Sequence, residues 1–492
     1  MKLIDAIKSM NARAASLDPA LHQREVESFV VDSREVKAGD VFFALSQPDY
    51  KKNCFNGDFA DATRYAAAAL HSGAAAVVMR EDRFEGHRSE LSQFFDRLIF
   101  VDDTIATLQG LAAAVYKNWG KPVIAITGSA GKTTAKELTA QILESSGLHV
   151  LRNVKNFNNG VGHPLTVLEL AKDLSYDVAV LEMGMSTPMN EIMRLCRITP
   201  PSIAVVLNVL PVHLEHLGSI ENIAKAKAEI VDGMNAGGTA VLNADDPLSA
   251  AMRSKANGNV VTFGINSPAD ISATDIRFED FGETRFTIRA ADGEAEIKFS
   301  LDGAHNIMNA LAAAAAATAF GIGIESIAAG LDNVSGPAQR GEILHFADGF
   351  TVINDSYNSN PTALLSMVET LIAGGNGRRC IVVAGEMLEL GDRSAEIHRE
   401  TGRAIGEANV DYLIGVRGYA GELVEGSLET GLAKAEFASD SAEAGDRLSE
   451  LIRPGDVVLI KGSRGVRTEQ VLEKLLQRFE IRKGKHENAA GQ

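Results

Sequence analysis

Apolar residues along this chain alternate between two rhythms, short unbroken runs and longer stretches in which they recur at helical spacing. From Phe29 to Leu45 the sequence FVVDSREVKAGDVFFAL reads strand, turn, strand, and the later runs GAAAVVMR and RLIFVDD read as short strands after helix-like stretches. These segments predict a small α/β domain over residues 1–116. Near Asn118 the pattern changes: PVIAITGSAGKTTAKELTAQILESSG is a buried strand, a glycine-rich turn and a long amphipathic helix. The strands DVAVLEM, SIAVVLNV and GTAVLNA follow, separated by helical segments, as a mainly parallel sheet covered by helices requires. Residues 275–300 alternate with period two and predict an antiparallel addition, and the Ala-rich helix after Asn306 closes this second domain near Pro337. From Gly341 a third α/β series appears in FTVINDSY, RRCIVVAGEM, VDYLIGV and DVVLIKG, so a third domain is expected over 338–484, ahead of a polar, frayed tail.

Bulk properties narrow the class. The chain has 492 residues, 45% of them hydrophobic and 23% charged, the balance of a folded globular protein. Its formal net charge of -17 argues against a broad nucleic-acid surface, so anionic ligands must be met by local sites. Cys54, Cys196 and Cys380 are far apart and form no CxxC pair, which fits a reducing cytoplasm without a disulfide framework or zinc site. Asp5 and Lys8 interrupt the first segment, which reads as an amphipathic helix and not a signal peptide. The longest apolar run, Ala310 to Phe320, is about half the ~20 residues of a membrane span and predicts a buried helix.

The strongest chemical signal is Thr127-Gly128-Ser129-Ala130-Gly131-Lys132-Thr133-Thr134, set between strand and helix where a phosphate loop belongs. Glycines let backbone N–H groups face phosphate oxygens, Lys132 supplies positive charge, and the Thr133 hydroxyl can ligate Mg²⁺. The strict pattern wants glycine where Ile126 stands. Glu182 ends an apolar strand, where open α/β sheets place ligands, and is a candidate metal ligand beside the loop. His213 also follows a strand end, in a stretch shared with Glu215, His216, Lys225 and Lys227, and is a second candidate. The segment Gly303-Ala304-His305-Asn306-Ile307-Met308-Asn309 opens the Ala-rich helix, and its amides serve either as a cap or as a contact to a base edge. Six polar residues crowd the turn Asn354–Pro361, and Lys461-Gly462-Ser463-Arg464-Gly465 puts two cations on a glycine-serine turn suited to carboxylate or phosphate.

Taken in order, these segments resemble the Mur ligase family over nearly the whole chain. VDSREVKAGDVFFAL resembles the UDP-binding start of its first domain, and TGSAGKTT resembles its own phosphate loop, which also lacks the first glycine. NVKNFNNGVGHPLTVLEL, LEMGMS, HLEHLGSIENIAKAKAEI and LNADDP are similar to its central domain, and NDSYNSNPTALLSMVETL, AGEMLELG and KGSRG to its C-terminal domain. The resemblance implies an α/β fold of three domains: a UDP-muramoyl-peptide-binding domain (1–116), a central P-loop domain (117–337) with a mainly parallel sheet, and a Rossmann-like C-terminal domain (338–484). It implies ATP-dependent ligation of D-alanyl-D-alanine to UDP-N-acetylmuramoyl-tripeptide through an acyl phosphate, by a cytoplasmic monomer with no nucleic-acid partner. By position, Gly128, Ser129, Ala130, Gly131, Lys132, Thr133 and Thr134 would hold ATP, and Thr133, Glu182 and His213 the Mg²⁺. Asn306 would contact the adenine, and Arg340 and Asp355 would reach the nucleotide from the third domain. Lys227, and not its neighbour Lys225, would be carbamylated, and Lys132, Lys227 and His213 would act in catalysis. Ser33, Arg34, Asn158, Asn358, Lys461 and Arg464 would meet the substrates. One departure is Phe55-Asn56-Gly57-Asp58-Phe59, where the family often carries DGHDF; the histidine is missing. A sister ligase with another acceptor is the nearest alternative. A P-loop switch or motor is disfavoured by the lack of an NKxD motif and by the third domain.

Overall fold

The computed structural model of the protein describes residues 1–14, 17–55, 59–154, 156–185, 190–211, 217–332, 334 and 339–482. Its strands form three sheets that follow one another along the chain. The first holds β1 (Phe29–Val30), β2 (Val41–Phe43), β3 (Ala76–Arg80) and β4 (Leu98–Val101), in that spatial order and all parallel. The strand-turn-strand run at its start therefore pairs in parallel, Phe29 opposite Val41, with Val41 N–H donating to Ser28 O at 2.8 Å. A link as short as Val31–Asp40 suffices because β1 is only 2 residues long.

The central sheet contains β5 (Val123–Thr127), β6 (Val150–Arg152), β7 (Val178–Glu182), β8 (Ile203–Val206), β9 (Thr239–Asn243), β10 (Asn259–Gly264), β11 (Ile271–Asp280), β12 (Glu283–Ala290) and β13 (Gly293–Phe299). Their order is β13-β12-β11-β10-β9-β8-β5-β7-β6, with antiparallel pairing confined to β11–β13. Strands β5, β7 and β8 are buried along their whole length, which is why their sequences are unbroken apolar runs instead of alternating ones. β5 lies between β8 and β7, so the chain leaves it at a reversal of strand order, where open α/β sheets form a crevice.

The C-terminal sheet holds β14 (Glu342–His345), β15 (Thr351–Asp355), β16 (Cys380–Gly385), β17 (Tyr412–Val416), β18 (Ala435–Ala438) and β19 (Val457–Lys461), ordered β14-β15-β19-β16-β17-β18. All pairs are parallel except β14 with β15.

Five helices position the site: α1 (Thr104–Trp119), α2 (Lys132–Ser145), α3 (Ile220–Asp232), α4 (Ala304–Phe320) and α5 (Pro361–Gly375). Asp103 caps α1 by accepting from Ala106 N–H at 2.9 Å, and Gly120, at φ 68°, ends it in the left-handed conformation open to glycine. Asn360 caps α5 through Ala363 N–H at 2.9 Å, with Pro361 in the first turn where its missing N–H costs nothing. The first and central domains share one hydrophobic cluster, reinforced by Gln109 Nε2 donating to Gly160 O at 2.8 Å. The C-terminal sheet instead has a separate core on each face. Among the described residues, no helix is long and apolar enough to cross a membrane.

Candidate active site

The loop after β5 turns into α2 at Gly131, whose φ of +84° and tight surroundings both demand glycine: a Cβ there would stand 2.2 Å from Asn309 Oδ1. Asn208, just past β8, braces the same loop by accepting from Ser129 and Ala130 N–H at 2.9 Å each. Lys132 opens α2 and folds back to donate to Gly128 O at 2.8 Å, so its charge lies over the loop. Burial lowers its pKa, opposed by the nearby Glu182 carboxylate and assisted by the Arg340 charge.

Glu182, at the end of β7, is held on both oxygens: Thr133 Oγ1 donates to Oε2 at 2.8 Å and Asn158 Nδ2 to Oε1 at 2.7 Å. Asn153 fixes the backbone beneath it, accepting from Glu182 N–H at 2.9 Å and donating to Glu182 O at 3.0 Å. A hydroxyl beside a carboxylate is a hard-oxygen donor set, and a Mg²⁺ ion binds such a pair while taking its other ligands from phosphates and water. The residues therefore fit the metal, although no group of three His, Cys, Asp or Glu side chains that could hold one occurs among the described residues. His213 lies outside the described residues, as do Glu215 and His216.

Across from the loop stands the C-terminal sheet. Asp355 and Lys461 are register partners at the ends of β15 and β19, and the Lys461 ammonium donates both to the Asp355 carboxylate and to Asn358 O, the latter at 2.9 Å. The sequence assigned these two residues to different ligands; here they form one ion pair. The Arg340 guanidinium lies 3.9 Å from the Tyr357 ring centroid, and that of Arg464 lies 5.8 Å from the same ring. His305 is in the same seam, with Nδ1 3.2 Å from Ser366 Oγ, and burial pushes its pKa down to about 4.

A cleft of about 530 Å³ joins the two sides, lined among others by Ser129–Thr134, Asn158, Glu182, Asn306, Asn309, Arg340, Asp355, Tyr357, Asn358 and Lys461. Most of the residues expected to meet ATP or substrate thus converge on one space between two domains. Asn306 lies on its wall, its Nδ2 donating to Asp302 O at 2.9 Å. Thr134 is buried in the first turn of α2. Arg464 is at the rim, bonded to Glu469 at 3.3 Å and not among the lining residues. Ser33 and Arg34 belong to the first domain, away from the cleft; Arg34 Nε donates to Asp32 at 2.9 Å, and the guanidinium holds the Asp32 carboxyl down at about 2.

Lys227 and Lys225 separate as helical spacing dictates, Lys227 buried at 2% exposure and Lys225 facing solvent on the other side of α3. Burial drives the Lys227 pKa well below its ordinary value, with Lys132 adding to the shift and Asp246 opposing it. That burial disfavours the charged ammonium, and the uncharged amine is the form that reacts with CO₂. Sequence reasoning assigned no individual role to Asn208, Asn309 or Tyr357, although Asn309 closes the segment Gly303–Asn309 and Tyr357 lies in the polar turn Asn354–Pro361. Asn309 is one helical turn from Asn306, a spacing that could have flagged it; Asn208 had no signal beyond its place at a strand end.

The comparisons with known proteins agree with this geometry. Residues 126–317 match the Mur ligase middle domain and residues 339–464 match the "Mur ligase, glutamate ligase domain". The UDP-N-acetylmuramoyl-tripeptide--D-alanyl-D-alanine ligase of Bacillus subtilis is 32% identical over 464 residues, covering 94% of this chain and 95% of its own. The Escherichia coli protein of the same name is 33% identical over 92% of this chain and 94% of its own. Among solved structures, a MurF from Acinetobacter baumannii superposes with a TM-score of 0.83 at 27% identity, covering 96% of this chain and 98% of its own. The MurF ligase of Thermotoga maritima in complex with ADP gives 0.77 at 28% identity, covering 92% and 97%. With both domain models matched and relatives aligned from end to end, the chain belongs to the Mur ligase family.

Proposed function

We propose that the protein joins D-alanyl-D-alanine to the terminal carboxylate of UDP-N-acetylmuramoyl-tripeptide at the expense of ATP, forming the UDP-linked muramoyl pentapeptide of peptidoglycan synthesis. The observation that carries this reading is the cleft, in which a phosphate loop on one domain faces an acid-base pair on another. It is supported by relatives that bear this ligase's name over nearly their whole length.

A carboxylate is a poor acyl donor. Its oxygen would attack the γ-phosphorus of ATP, releasing ADP and leaving an acyl phosphate; the dipeptide amine would then attack the carbonyl carbon and expel phosphate. Lys132, over the loop, neutralises charge on the transferring phosphoryl group, and Arg340 adds a second cation from the other domain. Mg²⁺, held by Thr133 and Glu182, would supply further neutralisation of phosphate charge when bound. Asn158, tied to Glu182, would hold the tripeptide end beside the phosphate. Asn306 binds the adenine, and Asp355 and Arg340 contact the nucleotide from the third domain. Asn358, Lys461 and Arg464 receive the dipeptide, while Ser33 and Arg34 hold the UDP group. Holding three substrates in a cleft closed between domains supplies proximity and keeps water from the acyl phosphate.

Lys227 carries a carbamate in this reading, an anion that helps organise the metal site, and the metal role of His213 rests on the family resemblance. The residue ranges 1–116, 117–337 and 338–484 correspond to UDP-substrate, ATP and dipeptide functions. The protein works as a monomer in the cytoplasm, in support of cell-wall growth, cell shape and division. Phosphate release from Mg-ATP with UDP-muramoyl-tripeptide, with and without D-alanyl-D-alanine, followed by product mass, tests the reading.

A further inference from the structure

The central and C-terminal domains meet a second time, at the end of α5 away from the cleft. The tip of the β11–β12 hairpin of the central domain carries Asp280, Phe281 and Gly282. Phe281 is 4% exposed and belongs to the hydrophobic core of the C-terminal domain, beside Leu371 and Met367 of α5. It fits because position 374 is glycine; a Cβ there would stand 2.6 Å from the Phe281 ring. Arg378, just past α5, lies 5.1 Å from the same ring centroid and binds Asp280 Oδ1 at 2.8 Å and Gly374 O at 2.7 Å.

These contacts continue along one stripe of α5. Ser366, Thr370 and Gly374 are successive turns of one helix face. Each meets a central-domain residue: Ser366 meets His305, Thr370 is so near Gly303 that a Cβ there would stand 2.5 Å from its hydroxyl, and Gly374 meets Phe281. The near end of α5 follows the turn that carries Asp355, Tyr357 and Asn358 into the cleft. The hairpin also reaches the opposite wall. Gly282 N–H donates to Asp302 Oδ2 at 2.8 Å, Thr284 Oγ1 to Oδ1 at 2.9 Å, and Asp302 O accepts from Asn306 Nδ2 at 2.9 Å.

We propose that Phe281 and Arg378 are positioning residues for the nucleotide: this clasp anchors α5 by its far end, so that Asp355 and Asn306 face each other across one bound ATP. The inference rests on the reading that ATP occupies the cleft. A ligand that binds across a seam gains its full affinity only from molecules in which the seam is shut, and its apparent affinity falls with the shut fraction. Each clasp residue lies on the opposite domain from its partner, so the clasp contributes to shutting the seam without touching the ligand.

The test is calorimetric binding of Mg-ADP to the wild type and to Arg378→Ala, Phe281→Ala, Asp280→Ala and the conservative Phe281→Leu. Asp280 and Arg378 lie at the surface, so their variants remain informative even where Phe281→Ala does not fold. The expected result is ADP binding weakened about tenfold in the alanine variants, a size usual for coupling between sites, with KM for the UDP substrate unchanged and Phe281→Leu close to wild type. Unchanged ADP affinity in folded Arg378→Ala and Asp280→Ala would overturn the proposal. ADP binding needs neither acceptor nor turnover, so an error in the ligase reading would appear separately, as missing amide product from the wild type.

Discussion

Thr133 Oγ1 donates to Glu182 Oε2 at 2.8 Å, which ties the first turn of the phosphate-loop helix to the end of the neighbouring strand β7. The two residues are far apart in sequence and become partners only because β5 and β7 are adjacent in the sheet. The contact places a hydroxyl and a carboxylate together where a nucleotide-bound cation would lie. It also makes the loop, Thr133, Glu182 and Asn158 one hydrogen-bonded unit.

Lys132→Ala should lower phosphate release at least about a hundredfold, the usual size for loss of a charge aimed at the transition state. Binding of the UDP substrate, assigned to the first domain, should be unaffected. Stopped phosphate assays together with binding of the UDP substrate alone check both halves.

Gly131→Ala should disable nucleotide binding while the rest of the chain stays folded. The new Cβ meets Asn309 at a position where φ is +84°, so the loop must shift, at a cost on the order of 1–3 kcal/mol in local strain. Calorimetry with Mg-ADP, beside the melting temperature, separates loss of binding from loss of fold.

How much of this was legible in the sequence depended on range. The phosphate loop is local, with its glycines, lysine and flanking strand contiguous, and all its residues fell where the pattern put them. The choice of Lys227 over Lys225 rested on the family resemblance; helix periodicity accounts only for their lying on opposite sides of α3. The pairing of Asp355 with Lys461 was not visible, because it depends on β19 inserting between β15 and β16, a crossover that no local pattern encodes. Parallel pairing of β1 with β2 was hidden because a strand-turn-strand run does not encode the direction of pairing. Asn208 and Tyr357 act through partners distant in sequence, Ser129 and Ala130 for the one and Arg340 and Arg464 for the other, so no local pattern gave either an individual role, although Tyr357 lies in the polar turn Asn354–Pro361.

Lys227 should be modified by CO₂. Its folded pKa lies below the unfolded value, so the unfolded chain binds the extra proton between the two, and this site's contribution to stability rises with pH across that window. Incubation with ¹³C-labelled bicarbonate should give a carbamate signal that Lys227→Ala lacks, and activity should fall when CO₂ is stripped from the buffer. A Lys227→Ala enzyme of wild-type activity would count against the role.

Asp302 should make the fold more stable in mild acid than its unfolded chemistry suggests. Burial raises its carboxyl pKa to about 6 from 3.8, against the lowering effect of its bonds from Gly282 and Thr284. The folded state therefore holds a proton that the unfolded state has lost, and stability falls as pH rises through that interval, by about 3 kcal/mol at most. Asp302→Asn should flatten this part of the melting-temperature profile; an unchanged slope would place the titration elsewhere.

The most direct measurement is the mass of the product formed from Mg-ATP, UDP-muramoyl-tripeptide and D-alanyl-D-alanine, with phosphate counted in parallel. A UDP-muramoyl-pentapeptide in equal amount to phosphate, appearing only when all three substrates are present, is the predicted result. ATP turnover that proceeds without the dipeptide, or phosphate release with no amide product, would contradict it.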